Sequence, residues 1–229
     1  LALADGQARL GEHFVGMVRN SFLLAGLTAV IAVALAVLLA YGARLSRGFV
    51  ARALNRLVGL GYAVPGSVIA VGVLIPVSRL DIWLAGQWQG WFGGNPGLLI
   101  TGGVAALIYA YLVRFLAVAL QAVSTSLAKI TTNMDDAARS LGLGQAATLR
   151  RVHLPILRSS LFTAGLLVFV DVMKELPATL VMRPFDFDTL ATQAYTLASD
   201  ERLAEAAGAS LAIVAVGLLP LIALSRQIA

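Results

Sequence analysis

The sequence contains no cysteine, only two histidines and few charged residues. Charged side chains make up 13% of its 229 residues, whereas hydrophobic side chains make up 59%, and the mean hydropathy is +0.86. Without cysteine there is no disulfide framework, no thiolate zinc site and no thiol nucleophile. A water-soluble domain of this size cannot bury so large an apolar fraction, because polar residues have to cover its surface. The composition therefore places the chain in a membrane.

Five apolar stretches are long enough to cross about 30 Å of hydrocarbon at 1.5 Å per residue. They predict an all-α, polytopic membrane helical bundle that forms one transmembrane domain over residues 1–229. The second stretch contains several glycines and Pro65, which predicts a kinked and closely packed helix. The predicted spans are residues 21–41, 57–77, 98–120, 161–182 and 203–224.

Basic residues are concentrated in the loops after the first and third spans. Cytoplasmic loops carry the excess of Lys and Arg in membrane proteins, so both loops are expected in the cytoplasm. The net charge of +5 is thus assigned to membrane flanks rather than to nucleic-acid binding. The N-terminus of this chain then lies outside and its C-terminus inside. The basic residues are Arg44, Arg47, Arg52 and Arg56 in the first loop, Lys129, Arg139, Arg150, Arg151 and Arg158 in the second, and Arg226 at the C-terminal end.

The two opposite loops are less basic. Residues 79–96 hold three tryptophans, which are typical of the membrane interface, with a docking surface for an external partner as the alternative. Residues 183–202 are long enough for a short helix near residues 189–197. Ser199 and Asp200 are then expected to begin the last helix.

A polar and basic segment with specific spacing lies between the third and fourth spans, in a loop of about residues 121–160. A helix-forming run at residues 134–141 ends in glycines. A second run at residues 145–152 is expected to stop at Pro155, which cannot donate a backbone hydrogen bond. Two short helices joined by glycines predict a protruding knob.

The spacing inside this segment resembles the EAA signature of the permeases of binding-protein-dependent ABC importers. That signature reads EAA, three residues, G, nine residues, I, any residue, LP. Asp136 replaces its glutamate and Val152 its isoleucine, and the other positions match. The resemblance implies a type I importer permease whose cytoplasmic coupling helix sits in a groove of the ATPase subunit. An ordinary amphipathic loop between membrane helices is the alternative.

The resemblance also implies roles for individual residues. Gly142 and Pro155 would set the shape of the knob, the alanines would allow close approach to the groove, and the charged residues would make polar contacts at its rim. The residues expected to couple to the ATPase are Asp135, Asp136, Ala137, Ala138, Gly142, Arg150, Arg151, Leu154 and Pro155. The chain contains no GxxxxGK[ST] phosphate loop, so ATP is assigned to the partner subunit. No cofactor and no enzymatic activity are expected of the chain itself.

The fourth predicted span places Asp171, Lys174 and Glu175 near mid-bilayer. An unpaired charge there costs at least about 2.5–3.5 kcal/mol, so each side chain must face protein or water. Spacings of three and four residues put all three near one helix face. Pro177 removes the backbone bond to Met173 and predicts a kink. These residues are expected to form a translocation pathway or gate, and a buried ion pair that locks the bundle is the alternative.

Residues 169–207 further resemble the ferric-iron branch of these permeases, and the resemblance extends over most of the chain. It implies a bacterial inner-membrane protein that receives ferric iron from a periplasmic binding protein. It also implies a second permease half, commonly fused, and hence that this chain is the C-terminal half of a longer polypeptide. The start at Leu1 rather than methionine agrees with that expectation.

The residues themselves say little about iron. His13 and His153 stand alone in the sequence, and a lone histidine in a basic loop such as His153 is expected to be solvated. Ferric iron prefers hard oxygen ligands, which only Asp171 and Glu175 could offer inside the membrane, so no metal site is assigned. Permeases for sulfate, molybdate, polyamines or thiamine remain open as alternatives. So does an ion-coupled secondary transporter that uses the intramembrane charges as a relay, and a non-transporting membrane scaffold.

Overall fold

In the residues that the computed structural model describes, the regular secondary structure is helical, with turns and short irregular segments between the helices. It describes the backbone of residues 2–46, 48–94 and 97–228, and side chains from residue 13 onward except at 52, 219–221 and 223–228. Arg47 and Pro96, and the side chains of Arg52 and Arg226, lie outside these residues. The α-helices are α1 (Ala2–Leu45), α2 (Phe49–Leu60), α3 (Gly66–Phe92), α4 (Val104–Ala128), α5 (Thr132–Ser140), α6 (Gln145–Thr148), α7 (Leu154–Met173), α8 (Pro177–Met182), α9 (Leu190–Ser199) and α10 (Leu203–Ile228).

The core lies where α1, α4 and α7 pack against one another. One face of α1 is a stripe of alanines at helical spacing, all of them almost completely buried. Small side chains let helix backbones approach closely, which is the main source of helix association where lipid removes the hydrophobic drive. The stripe consists of Ala25, Ala29, Ala32, Ala36 and Ala40.

Among the residues whose side chains are described, four helical stretches have the length and apolar composition of membrane spans. They cover His13–Leu45, Gly66–Phe92, Val104–Ala128 and Gln145–Met173, and the described part of α10, Leu203–Leu218, is apolar as well. The all-α bundle is thereby confirmed, and about five spans agrees with these helices. The predicted boundaries of several spans are wrong.

The second predicted span, residues 57–77, is interrupted. A short 3-10 turn at Gly61–Ala63 follows α2, and Val64 is extended with ψ 132°, as expected for a residue before proline. The membrane helix α3 begins only at Gly66 and continues to Phe92, where Gly93 ends it with φ +72°. The tryptophans expected in a loop therefore lie on the last turns of α3, and they remain exposed.

The fourth predicted span is broken where Pro177 predicted a kink. The helix α7 ends at Met173 and α8 begins at Pro177. The short helix expected near residues 189–197 is α9, with Thr189 as its N-cap. The last helix begins at Leu203 rather than at Ser199, because Ser199 belongs to α9 and Glu201 interrupts the helix with φ +61°.

Candidate coupling segment and intramembrane charges

The coupling segment, residues 132–153, is a helical hairpin between α4 and α7. Gly142 turns the chain between α5 and α6 with φ +78°, a conformation that costs other residues energy. Its amide donates to the Arg139 carbonyl at 2.9 Å, and the Leu143 amide donates to the Ala138 carbonyl at 3.0 Å, which closes the end of α5. Leu141 lies at the tip with 80% of its surface exposed.

The expectation that Pro155 closes the segment is wrong. After α6 a π-helical turn at Leu149–His153 leads directly into α7, so that one continuous helical stretch covers Gln145–Met173. Pro155 is the second residue of α7 and lies inside this continuous stretch, so its missing amide removes one backbone hydrogen bond there. A π turn widens the helix and rearranges the backbone bonds at such a position.

Arg44 at the end of α1 joins the coupling segment to α4. Its Nε and Nη2 donate to Oδ2 of Asp135 at 2.9 and 2.7 Å. Its Nη1 donates to the carbonyl of Leu127 and its Nη2 to that of Ile130, both at 2.9 Å. These carbonyls lie at the C-terminal end of α4, where a cation is favourable. One guanidinium therefore holds α1, α4 and α5 together.

His153 is completely buried beneath this contact, so the expectation of a solvated histidine is wrong. Its Nε2 lies 2.7 Å from Oδ1 of Asp135, and Tyr41 packs edge-on against its ring at 5.3 Å. The Tyr41 hydroxyl donates to the carbonyl of Gln145 at 2.9 Å. Burial raises the pKa of Asp135, but bonds and charge from Arg44, and then His153, outweigh it and leave the pKa below the ordinary value of 3.8. Asp135 is therefore ionised at neutral pH.

The other predicted coupling residues divide between an outer and an inner face. Asp136 is exposed and forms an ion pair with Arg139 in the next turn. Ala138 is only 4% exposed, so it packs inside the chain instead of facing outward, and Asp135 points inward as described above. The predicted residues left on the exposed face are Asp136, Ala137, Gly142, Arg150, Arg151 and Pro155, while Leu154 is half-buried.

The intramembrane charges form two separate ion pairs rather than one shared face. Lys174 Nζ lies 2.9 Å from Oδ1 of Asp171, and the lysine side chain is 60% exposed. Because α7 ends at Met173, Glu175 turns away from Asp171. Glu175 is paired with Arg114 of α4, whose Nη1 lies 2.8 Å from both carboxylate oxygens.

The Arg114–Glu175 pair lies where α3, α4 and the beginning of α8 pack against one another. The Glu175 carboxylate also accepts from the Ala178 amide at 3.2 Å, near the beginning of α8. A Cβ added at Gly66 would overlap both the guanidinium and the carboxylate. Beside the pair, the Tyr111 hydroxyl lies 2.6 Å from that of Thr179. A side chain at position 66 would therefore require the ends of the Arg114 and Glu175 side chains to shift.

Sequence relatives of the chain are transport permeases. It is 28% identical over 216 residues to the Fe(3+)-transport system permease protein FbpB 2 of Haemophilus influenzae. The alignment covers 94% of this chain and 39% of that protein. It is 28% identical over 167 residues to the permease protein PhnV, assigned to a 2-aminoethylphosphonate transport system of Salmonella typhimurium, with 73% and 57% covered. The chain thus spans about two fifths to three fifths of the length of these relatives. No family model matches it.

The fold is that of a solved bacterial ABC transporter involved in the import of the acidic polysaccharide alginate. The TM-score is 0.69 at 16% identity, over 95% of this chain and 80% of that one. A structure of the bacterial alginate transporter in complex with an alginate pentasaccharide-bound periplasmic protein matches the chain with a TM-score of 0.68. In sequence and in fold, the chain resembles the inner-membrane permeases of ABC importers. The family resemblance carried by the spacing of the coupling segment is confirmed, and the relatives of this permease are transport proteins and not enzymes.

Three charged side chains that organise the structure have no predicted site role, although Arg44 was expected among the basic loop residues. Arg114 and Arg44 each bind a predicted site residue. The third is Asp81 of α3, which is completely buried and accepts from the amides of Leu99, Ile100 and Thr101 at 2.7, 3.0 and 2.6 Å. The available signal for Asp81 was that it is the one acidic residue in a mostly apolar helix. Among the described residues, no group of three or more His, Cys, Asp or Glu side chains lies together.

Proposed function

We propose that this permease is the membrane subunit of an importer that receives solute from a periplasmic binding protein and is driven by a separate ATPase. The coupling segment carries the proposal, because it combines the family spacing with an exposed tip and a rigid connection to the membrane helices. The periplasmic protein in complex with the alginate transporter supports the first partner. The resemblance to the ferric-iron permeases supports one further partner, a second permease half that is fused or separate.

In this proposal, ATP binding by the partner moves the coupling segment and the membrane helices follow. The unbroken helical stretch Gln145–Met173 leads from the segment into the bundle. Arg44 ties the same segment to α1 and α4. Movement of the segment would therefore displace three core helices together, as alternating access by rigid bodies requires.

The segment must lie in the cytoplasm for this mechanism, with the N-terminus of the chain outside and its C-terminus inside. Single cysteines at Trp88 and at Arg150 test the orientation, because both positions are exposed and the chain has no native cysteine. An impermeant thiol reagent is expected to label Trp88→Cys from outside and Arg150→Cys only from the cytoplasmic side. Labelling of both from one side would refute the proposed topology.

We assign the gate of the pathway to Asp171, Lys174, Glu175 and Pro177, at the break between α7 and α8. A helix break beside charged side chains at membrane depth is typical of transport pathways. Glu175→Gln keeps the shape and most hydrogen bonds of the side chain but removes its charge. We expect it to lower uptake per folded transporter. A normalised uptake rate equal to that of the wild type would assign the charges to bundle packing instead.

The substrate that we propose is ferric iron, since the relative matched over 94% of this chain is a Fe(3+)-transport permease. The phosphonate transport permease, matched over 73%, supports a 2-aminoethylphosphonate substrate as the second candidate. Proteoliposomes containing the complete transporter and its binding protein decide between them with labelled Fe(3+) and labelled phosphonate. ATP-dependent uptake of iron alone is expected. Uptake that follows an ion gradient without ATP would instead indicate a secondary transporter.

A further inference from the structure

A large polar groove runs along the bundle between α2, α4 and α7. Its volume is about 1130 Å³, and neutral polar side chains line both long walls. On α4 the polar side chains are Gln121, Ser124 and Thr125, and on α7 they are Ser160 and Thr163. The spacings of three and four residues place each set on one helix face. These hydroxyl and amide groups therefore form a polar strip within a groove whose remaining lining is mostly apolar.

The groove begins at the proposed gate and extends toward the coupling segment. Asp171 lines one end, and Ser126, two residues before the end of α4, lines the other. On α7 the lining covers residues 159–171, a length of about 18 Å at 1.5 Å per residue. This is more than half of the roughly 30 Å thickness of a hydrocarbon core. The groove thus connects the ion pair of Asp171 to the side of the bundle that carries the coupling segment.

The opposite side of α7 provides a contrast. A second groove of about 700 Å³ lies between α1 and α7, and the residues that line it, among them Val30 and Phe162, are all apolar. Apolar side chains are compatible with lipid tails, whereas hydroxyl and amide groups facing lipid would lose their hydrogen bonds to water at a cost of about 1–3 kcal/mol each. The two faces of α7 are therefore built for different surroundings.

The charge of the polar groove is balanced. Among the described residues that line it, Asp171 is the one charged side chain, and Lys174 neutralises it at 2.9 Å. Hydroxyl and amide groups can donate and accept hydrogen bonds, so they replace part of the hydration shell of a cation or an anion alike. Such a wall carries a hydrated solute without selecting the sign of its charge and without holding it tightly.

We infer that this groove is the water-filled passage between the gate and the side of the bundle that carries the coupling segment. The passage carries a small, hydrated, hydrogen-bonding solute without selecting the sign of its charge. The inference rests on the proposed transport function and adds the wall along which the solute moves. It also places selection for the solute outside this groove.

Accessibility of single cysteines tests the inference in the assembled transporter, since the chain has no cysteine of its own. The groove variants are Ser124→Cys, Ser160→Cys and Thr163→Cys, and the matched controls on the apolar side are Val30→Cys and Phe162→Cys. Leu141→Cys, on the exposed tip of the coupling segment, serves as the reference for free solution. Each variant is treated with a cationic and an anionic impermeant methanethiosulfonate reagent, with and without ATP.

We expect the groove cysteines to react at least about tenfold faster than the two apolar controls, since only water-filled surroundings ionise a thiol and admit a charged reagent. The ratio of cationic to anionic reaction rates in the groove should equal the ratio at Leu141→Cys. Groove cysteines as slow as the controls in every nucleotide state would overturn the passage. A strong preference for one reagent charge would overturn the lack of charge selection. Uptake measured before labelling keeps the tests apart. If the cysteine variants import with ATP but their groove cysteines react as slowly as the controls, the passage alone is refuted. A cysteine-free transporter without ATP-dependent uptake would instead refute the transport function.

Discussion

The Arg114–Glu175 pair is expected to matter more for stability than the Asp171–Lys174 pair. The Glu175 side chain is only 6% exposed and Arg114 is 22% exposed, whereas Lys174 is 60% exposed. Replacing Arg114 with methionine keeps much of the side-chain volume but leaves a buried carboxylate without its cation. Replacing Lys174 with alanine leaves Asp171 beside a groove that is open to solvent.

The expected magnitudes differ several-fold. Removing one partner of a buried ion pair costs about 3–5 kcal/mol, because the remaining charge is uncompensated. An exposed pair contributes about 0–1 kcal/mol. Arg114→Met should therefore lower the free energy of unfolding by about 3–5 kcal/mol, and Lys174→Ala by about 1 kcal/mol or less. Sequence reasoning alone, without Arg114, makes Lys174 the critical cation and predicts the reverse order.

A second substitution separates the charge effect from lost packing. In the Arg114→Met background, Glu175→Gln removes the unpaired charge but keeps an oxygen that can accept from the Ala178 amide. The double variant should recover at least half of the lost stability. The coupling energy of such a cycle isolates the pair, because the two side chains are in direct contact.

Thermal unfolding of the purified, assembled transporter measures the wild type, Arg114→Met, Lys174→Ala, Glu175→Gln and the double variant under one set of conditions. For proteins of 150–250 residues, 1 kcal/mol corresponds to about 2–4 °C in Tm, so Arg114→Met should stand well apart from Lys174→Ala. A Lys174→Ala variant as unstable as Arg114→Met would refute the assignment of Arg114 as the cation of Glu175. So would a double variant that gains nothing from Glu175→Gln.

Three further outcomes follow from single positions. Gly66→Ala should lower the melting temperature because its Cβ overlaps the Arg114–Glu175 pair, whereas Gly72→Ala, with open space around it, should leave it unchanged or raise it. Gly142→Ala should reduce ATPase stimulation and uptake, since φ +78° costs a non-glycine residue about 1 kcal/mol or more; Gly144→Ala, at φ −73°, is the control that should retain both. Asp135→Asn should lose stability at neutral pH: the folded pKa of Asp135 is depressed, so its contribution is full above the ordinary value of 3.8 and disappears as pH falls through the folded value. The free energies of unfolding of the wild type and of Asp135→Asn should therefore converge at acid pH. A difference that persists there would contradict a stabilising contact between the ionised Asp135 carboxylate and Arg44.

The membrane helices and the family could be predicted from sequence because both depend on local features. Length and apolar composition identify a span regardless of its neighbours. The coupling segment was found from the spacing between Asp136 and Pro155, and the break at Pro177 from the chemistry of proline. The interruption at Gly61–Ala63 was visible only as glycines and Pro65, which predicted a kink but not a new helix start.

The Arg44–Asp135 and Arg114–Glu175 pairs could not be predicted, because their partners come from helices far apart in the sequence. Asp171 and Glu175 share a face only if the helix continues past Met173, and it does not. Arg114 is 61 residues from Glu175, and which residue of α4 meets it depends on the register of helix packing. The burial of His153 likewise depends on α1 lying across the coupling segment.

The pairing of the intramembrane charges bears directly on how this permease could handle a ferric ion. The two carboxylates of the α7–α8 region that could offer hard oxygen ligands each already hold a cation, at 2.9 Å for Asp171 and 2.8 Å for Glu175. Fe(3+) could gain the Glu175 oxygens only by displacing Arg114, which would cost about as much as breaking a buried pair, roughly 3–5 kcal/mol. Asp171 would give it one carboxylate at the edge of a neutral groove, too few ligands for a resident site. Under the proposed function, binding and selection of iron are therefore expected in the protein that delivers it, while the described part of this chain offers passage.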